Sequence, residues 1–98
     1  MATGIPARFQ LHGHVITVRI IPRSRWRHGK NTVGIWLPDK LRIELLHDPI
    51  ETQLQQVFCH ELTHALLDQM NHELSHNEVF VDNFSALLQQ ALTTFDFK

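Results

Sequence analysis

Tyrosine is absent from this 98-residue chain, and cysteine occurs once, as Cys59. Without a phenol, any stabiliser of developing negative charge must be a histidine, an arginine or a backbone N–H. A lone cysteine excludes an internal disulfide and reads as a small buried hydrophobe. Met1–Gln10 carries no apolar h-region, so the expected setting is a reducing cytoplasm. No apolar run approaches membrane-spanning length, and no repeat or low-complexity tract is present. Acid is scarce in the first part of the chain: residues 1–42 hold eight Arg and Lys but only Asp39, whereas residues 43–98 hold nine acids and only Lys98. The net charge of −1 conceals this asymmetry.

Ninety-eight residues suffice for one domain with one core, with no room for a second functional module. The hydrophobic fraction of 43% is that of an ordinary globular chain. Phe9–His12 and His14–Ile21 alternate in polarity around a turn at Gly13, which predicts two strands. Pro22–Asn31 reads as a polar loop. Thr32–Leu37 and Leu41–Leu46 predict a hairpin around Pro38-Asp39-Lys40, with Arg42 and Glu44 on a polar face and Ile43 and Leu45 turned inward. A helix over about 49–70 follows, with Asp48 and Pro49 as its N-cap and first residue. After the connector Asn71–Ser75, a second helix over about 76–94 carries an apolar stripe of Val81, Phe84, Leu88, Ala91, Leu92 and Phe95. The expected class is α+β: a small mixed or antiparallel sheet of three to four strands packed on the first helix, with a second, C-terminal helix beside it.

Histidine is abundant, at eight residues. Two of them stand in His60-Glu61-Leu62-Thr63-His64, within the first helix. Positions i and i+4 lie one above the other on a helical face, so both imidazoles can reach one ion. Glu61 lies to one side, placed to act on a metal-bound water as a general base. A satisfied pair of core histidines is the plain alternative, but two buried rings on this otherwise apolar helix would need partners. A catalytic zinc takes three protein ligands and leaves one position open. Glu78, His76, His72 and Asp82 are candidates for the third. Glu78 is preferred because it leans toward the interior, one turn before Asp82, which can accept the spare N–H of His60. His76 is its strongest rival, and His72 reads as a surface residue. Ser75-His76-Asn77-Glu78 also fits a capping box, which would give Glu78 a purely structural role.

These residues resemble a known group. His60-Glu61-x-x-His64 followed by Glu78-x-x-x-Asp82 is similar to the gluzincin arrangement of thermolysin-like peptidases. The run from Glu78 through Asp82 and Phe84 to Leu87-Leu88 resembles a segment of ImmA/IrrE-type metallopeptidases, and the likeness extends over roughly residues 33–95. The resemblance implies a minimal zincin fold, zinc as cofactor, peptide-bond hydrolysis with Glu61 as base, a peptide or protein substrate, and a bacterial or phage origin. It also implies that Val33, Gly34, Ile35, Trp36 and Leu37 form an edge strand that pairs with an extended substrate, Gly34 allowing close approach of the two backbones. Only 13 residues separate His64 from Glu78, shorter than usual for the group, so its substrate-binding insertions are expected to be missing. His76 with Phe80 four residues on is also similar to SprT-type proteases, whose third ligand is histidine.

Two other functions fit the sequence. One is a zinc-binding regulatory module with little or no turnover. The other rests on Arg19, Arg23, Arg25, Arg27 and Lys30, with Trp26 and His28 interleaved. That cluster could meet nucleic acid or an acidic peptide, or it could be a solvated loop between strands.

Overall fold

A computed structural model describes residues 4–97, which leaves Lys98 outside the described residues. Strands β1 (Arg8–Leu11) and β2 (His14–Ile21) form an antiparallel hairpin with Leu11 opposite His14. Its two-residue turn, His12-Gly13, has positive φ at both positions (51° and 79°), the turn whose twist matches that of the flanking strands. Strands β3 (Gly34–Leu37) and β4 (Arg42–Leu46) form a second antiparallel hairpin. Pro38–Lys40 makes one 3-10 turn there, and Leu41, at φ 50°, reverses the chain. The strand expected from Leu41 therefore begins one residue later, and that expected from Thr32 begins at Gly34.

β4 docks parallel to β2, so the sheet runs β1-β2-β4-β3 and β3 is an outer strand. The class is α+β with a mixed four-stranded sheet, as expected.

Helix α1 (Glu51–Gln69) lies on one face of this sheet. Ile16, Ile43 and Leu45 from the strands meet Leu54 and Phe58 from the helix in the buried core. Phe9 closes one side with its ring edge-on to Phe58, centroids 6.2 Å apart. Removing each such side chain from water contributes about 1.5–3 kcal/mol. Asp48 is not the N-cap. That position falls to Ile50, whose N–H donates to Asp48 Oδ1 at 2.8 Å in the turn just before the helix.

Helix α2 (Glu78–Thr94) packs antiparallel to α1, since Gln89 meets Thr52 at one end and Glu78 meets His60 and His64 at the other. It starts two residues later than expected. His76 ends a separate 3-10 turn, Glu73–His76, and Asn77 caps α2 by accepting the Phe80 N–H at 3.0 Å. The capping box from Ser75 to Glu78 is not formed, because Asn77 takes the cap position and Ser75 is buried in the preceding turn. The apolar stripe of α2 is also less buried than expected: of its members only Val81 is buried, beside Ser85 of the same helix, while Phe84, Leu92 and Phe95 are exposed. α2 rests on a single cylinder rather than a sheet, and a narrow ridge suffices for that contact.

Cys59 is buried, and burial pushes its thiol pKa up, which keeps it protonated and unreactive. Among the described residues, no helix is long and apolar enough to cross a membrane.

Candidate metal centre

α1 turns its apolar side to the sheet and its His60-His64 edge to α2. The helical repeat sets the two rings edge-on, one turn apart, with centroids separated by 5.0 Å. Capping by Asn77 begins α2 at Glu78 and so puts that carboxylate on the first turn, directly opposite both histidines. His60 Nε2 lies 3.1 Å from Glu78 Oε1, and His64 Nε2 lies 3.1 Å from Glu78 Oε2. One turn on, Asp82 Oδ1 lies 3.0 Å from His60 Nδ1. The Nδ1 of His64 faces the backbone carbonyl of Ser75 at 2.7 Å.

Proton counting shows what this arrangement is suited to hold. A carbonyl only accepts, so His64 Nδ1 carries the hydrogen; the Asp82 carboxylate makes the same demand on His60 Nδ1. A neutral imidazole has one N–H, which leaves both Nε2 lone pairs aimed at the Glu78 carboxylate. Lone pairs facing carboxylate oxygens repel. Protonating both rings would relieve this only by placing two imidazolium ions side by side. A cation between the two Nε2 atoms and Glu78 satisfies every contact with both rings neutral. Ligands at roughly 2.0–2.1 Å from a tetrahedral ion stand about 3.3 Å apart, close to the two 3.1 Å separations here. Ligand atoms of His60, His64 and Glu78 all lie within 4.8 Å of one another, close enough to hold a metal ion. Asp82 and the Ser75 carbonyl are the outer acceptors that orient the two rings.

Glu61 belongs to the same helical turn but not to this cluster. It is buried, and its carboxyl accepts a hydrogen bond from the Trp36 backbone N–H of β3. Burial pushes its pKa up to about 7; His64 and the Trp36 N–H pull downward, and the nearby Glu78 carboxylate pushes upward. A group that titrates near neutrality is suited to taking and returning a proton. An open cleft of about 880 Å³ runs between β3 and the helices, lined by Val33–Trp36 on one side and by His60, Glu61 and Glu78 on the other.

Several expectations change at the site. Glu78 and Asp82 do not lean into the interior; their side chains are 64% and 68% exposed, meeting the histidines at the mouth of the cleft. His76 lines the cleft outside the ligand cluster, and exposed His72 accepts the Leu74 N–H at 3.1 Å. Gly34 lines the cleft, but the close approach it allows is to α1, since a Cβ there would lie 2.5 Å from Val57 Cγ1 and 3.1 Å from Glu61 Cγ. Two contributors escaped the sequence reading. The Ser75 acceptor is a backbone carbonyl and leaves no sequence signal. Asp68, which accepts the Trp36 indole N–H at 3.0 Å, did have one, standing four residues beyond His64 on the same helical face.

Comparison with protein-family models, with curated proteins and with solved structures finds no match to this chain.

Proposed function

We propose that this chain is a zinc-dependent peptidase of minimal size, with a gluzincin-like site of the kind found in ImmA/IrrE-type proteins. The observation that carries the reading is the convergence of two Nε2 lone pairs and one carboxylate beside a separate, buried glutamate. Two imidazoles and one carboxylate, with room for a fourth ligand, suit zinc in a catalytic rather than a structural setting. Bound there, zinc would polarise a scissile carbonyl and acidify a water.

The chain's own residues do the rest. Glu61 takes the water proton and returns it to the leaving amine. The Asp82 carboxylate and the Ser75 carbonyl hold both histidines with Nε2 toward Glu78, where they would hold an ion. β3 is an outer strand that lines the cleft, and an extended peptide would pair with the backbone edge that β4 does not engage, apart from the Trp36 N–H held by Glu61. Among the cleft-lining residues described, no arginine is present, so His76, a side-chain amide such as Asn31 or a backbone N–H would meet the charge that develops on the carbonyl oxygen.

The test is hydrolysis of a denatured protein substrate by wild type and Glu61→Gln, with metal content measured in both. The expected result is unchanged zinc, hydrolysis abolished in the variant and hydrolysis abolished in wild type by a chelator. A fully active Glu61→Gln protein would overturn the assignment of the base. Openness of the cleft and exposure of Glu78 favour a second reading, a zinc-binding regulatory module without turnover. That reading predicts bound zinc and no cleavage in wild type.

A further inference from the structure

The charge asymmetry of the sequence becomes an asymmetry between two faces of the molecule. Ile43 and Leu45 point into the core against α1, so Arg42, Glu44 and Leu46 face the other side of the sheet. Arg19 pairs in register with Glu44 and shares that outer side. The segment after β2 folds back over it at His28, before Asn31, Thr32 and Val33 turn to line the cleft. His28 Nε2 is 2.6 Å from Glu44 Oε1, and Arg42 Nη1 is 3.2 Å from Glu44 Oε2. Trp26 packs edge-on against His28, centroids 4.7 Å apart, and a 3-10 turn stiffens Arg23–Arg25.

Glu44, the one acid on these outer positions of β4, is thus buried and engaged by two partners. Arg19, Arg23, Arg25, Arg27 and Lys30 are exposed, and none has an ion pair among the described residues. The segment is therefore a braced cationic surface rather than a freely solvated loop. The metal-site carboxylates Glu78 and Asp82 lie on the helix side of the sheet.

We propose that this outer face binds the phosphate backbone of a nucleic acid, without base specificity and independently of the metal site. Four of the five free cations are arginines, whose planar forks match phosphate oxygens in pairs. A membrane surface would call for apolar side chains projecting among the charges. Among the arginines the large apolar residue is Trp26, whose indole nitrogen is enclosed, and the exposed Val33 further along lines the cleft instead. With a net charge of −1, the protein as a whole has no attraction for a polyanion, so binding must come from this face.

The experiment is fluorescence anisotropy of a labelled oligonucleotide, single-stranded and duplex, titrated with the whole chain. Four phosphate contacts predict affinity that falls on the order of 10²-fold between about 50 and about 200 mM salt. The combined Arg23→Ala, Arg25→Ala, Arg27→Ala variant should lose binding at low salt, the corresponding lysine variant should keep part of it, and a chelator should change nothing. Zinc content and circular dichroism of the alanine variant, expected to match wild type, show that its fold is kept. The proposal is overturned if wild type fails to bind at low salt, or if a correctly folded alanine variant binds as wild type does. It is equally overturned if polyglutamate or anionic phospholipid vesicles compete as well as unlabelled oligonucleotide. None of these outcomes depends on whether the chain cleaves peptides.

Discussion

His64 Nδ1 and the backbone carbonyl of Ser75 are 2.7 Å apart, which ties the His60-His64 face of α1 to the turn that precedes α2. That contact sets the tautomer of His64, and Asp82 does the same for His60 from one turn further along. Ring orientation is thus decided from α2 and its approach, not by the helix that carries the histidines.

Outer acceptors of this kind tune affinity without being ligands. Asp82→Ala should weaken metal binding about 10–100-fold, whereas Glu78→Ala should abolish stoichiometric binding and His76→Ala should leave it intact. Elemental analysis after dialysis, together with competition against a chromogenic chelator, checks all three. Loss of metal in His76→Ala with retention in Glu78→Ala would reverse the ligand assignment.

At Gly34, β3 lies against α1 beside Val57 and Glu61. Gly34→Ala forces a methyl group to within 2.5 Å of Val57 Cγ1 and should destabilise the fold, by about 1–3 kcal/mol for overpacking. Val57→Ala in the same chain should recover part of that loss, measured as urea midpoints. A destabilised Gly34→Ala with no recovery in the double variant would mean the clash is not with Val57.

The outer sheet face should show itself in acid. Burial pushes the Glu44 carboxyl up, but hydrogen bonds from His28 and Arg42 outweigh it, and the net shift is downward. A depressed folded-state value means the stabilisation is complete above the ordinary carboxylate range and is lost as the pH falls through the folded-state value. Glu44→Gln should therefore be less stable than wild type near neutrality and lose less on acidification. Urea midpoints across that range test this; parallel acid limbs for the two proteins would contradict it.

Capping of α2 separates Asn77 from Ser75. Asn77→Ala should cost about 1 kcal/mol and loosen the metal site, because the cap begins the helix at Glu78. Ser75→Ala should cost little, since it is the backbone carbonyl that holds His64. Thermal unfolding of the two variants side by side distinguishes these roles, and equal losses would restore the capping box.

Much of this molecule is local and therefore legible in the chain. The i, i+4 spacing of His60 and His64, the side position of Glu61, the alternation in β1, β2 and β4 and the turn at His12-Gly13 all follow from backbone periodicity within a few residues. The one-turn spacing of Glu78 and Asp82 likewise made both of them visible as partners for the histidines. Less legible was where α2 begins, because Ser75 and Asn77 are both good caps and only the burial of Ser75 against α1 decides between them.

For the motif itself, the sequence determined that two imidazoles and a carboxylate share one helix, since 3.6 residues per turn admits no other outcome once the helix forms. Tertiary structure alone decided what surrounds them: the carbonyl that orients His64, the strand N–H that meets Glu61, and the exposure of Glu78 and Asp82. It also decided the parallel docking of β4 on β2 and the fold-back that brings His28 onto Glu44 and leaves Arg23, Arg25 and Arg27 exposed. Each of these depends on contacts between residues far apart in the chain, which form where burial and hydrogen bonding outweigh the entropy of closing the intervening loop. No local pattern carries that balance.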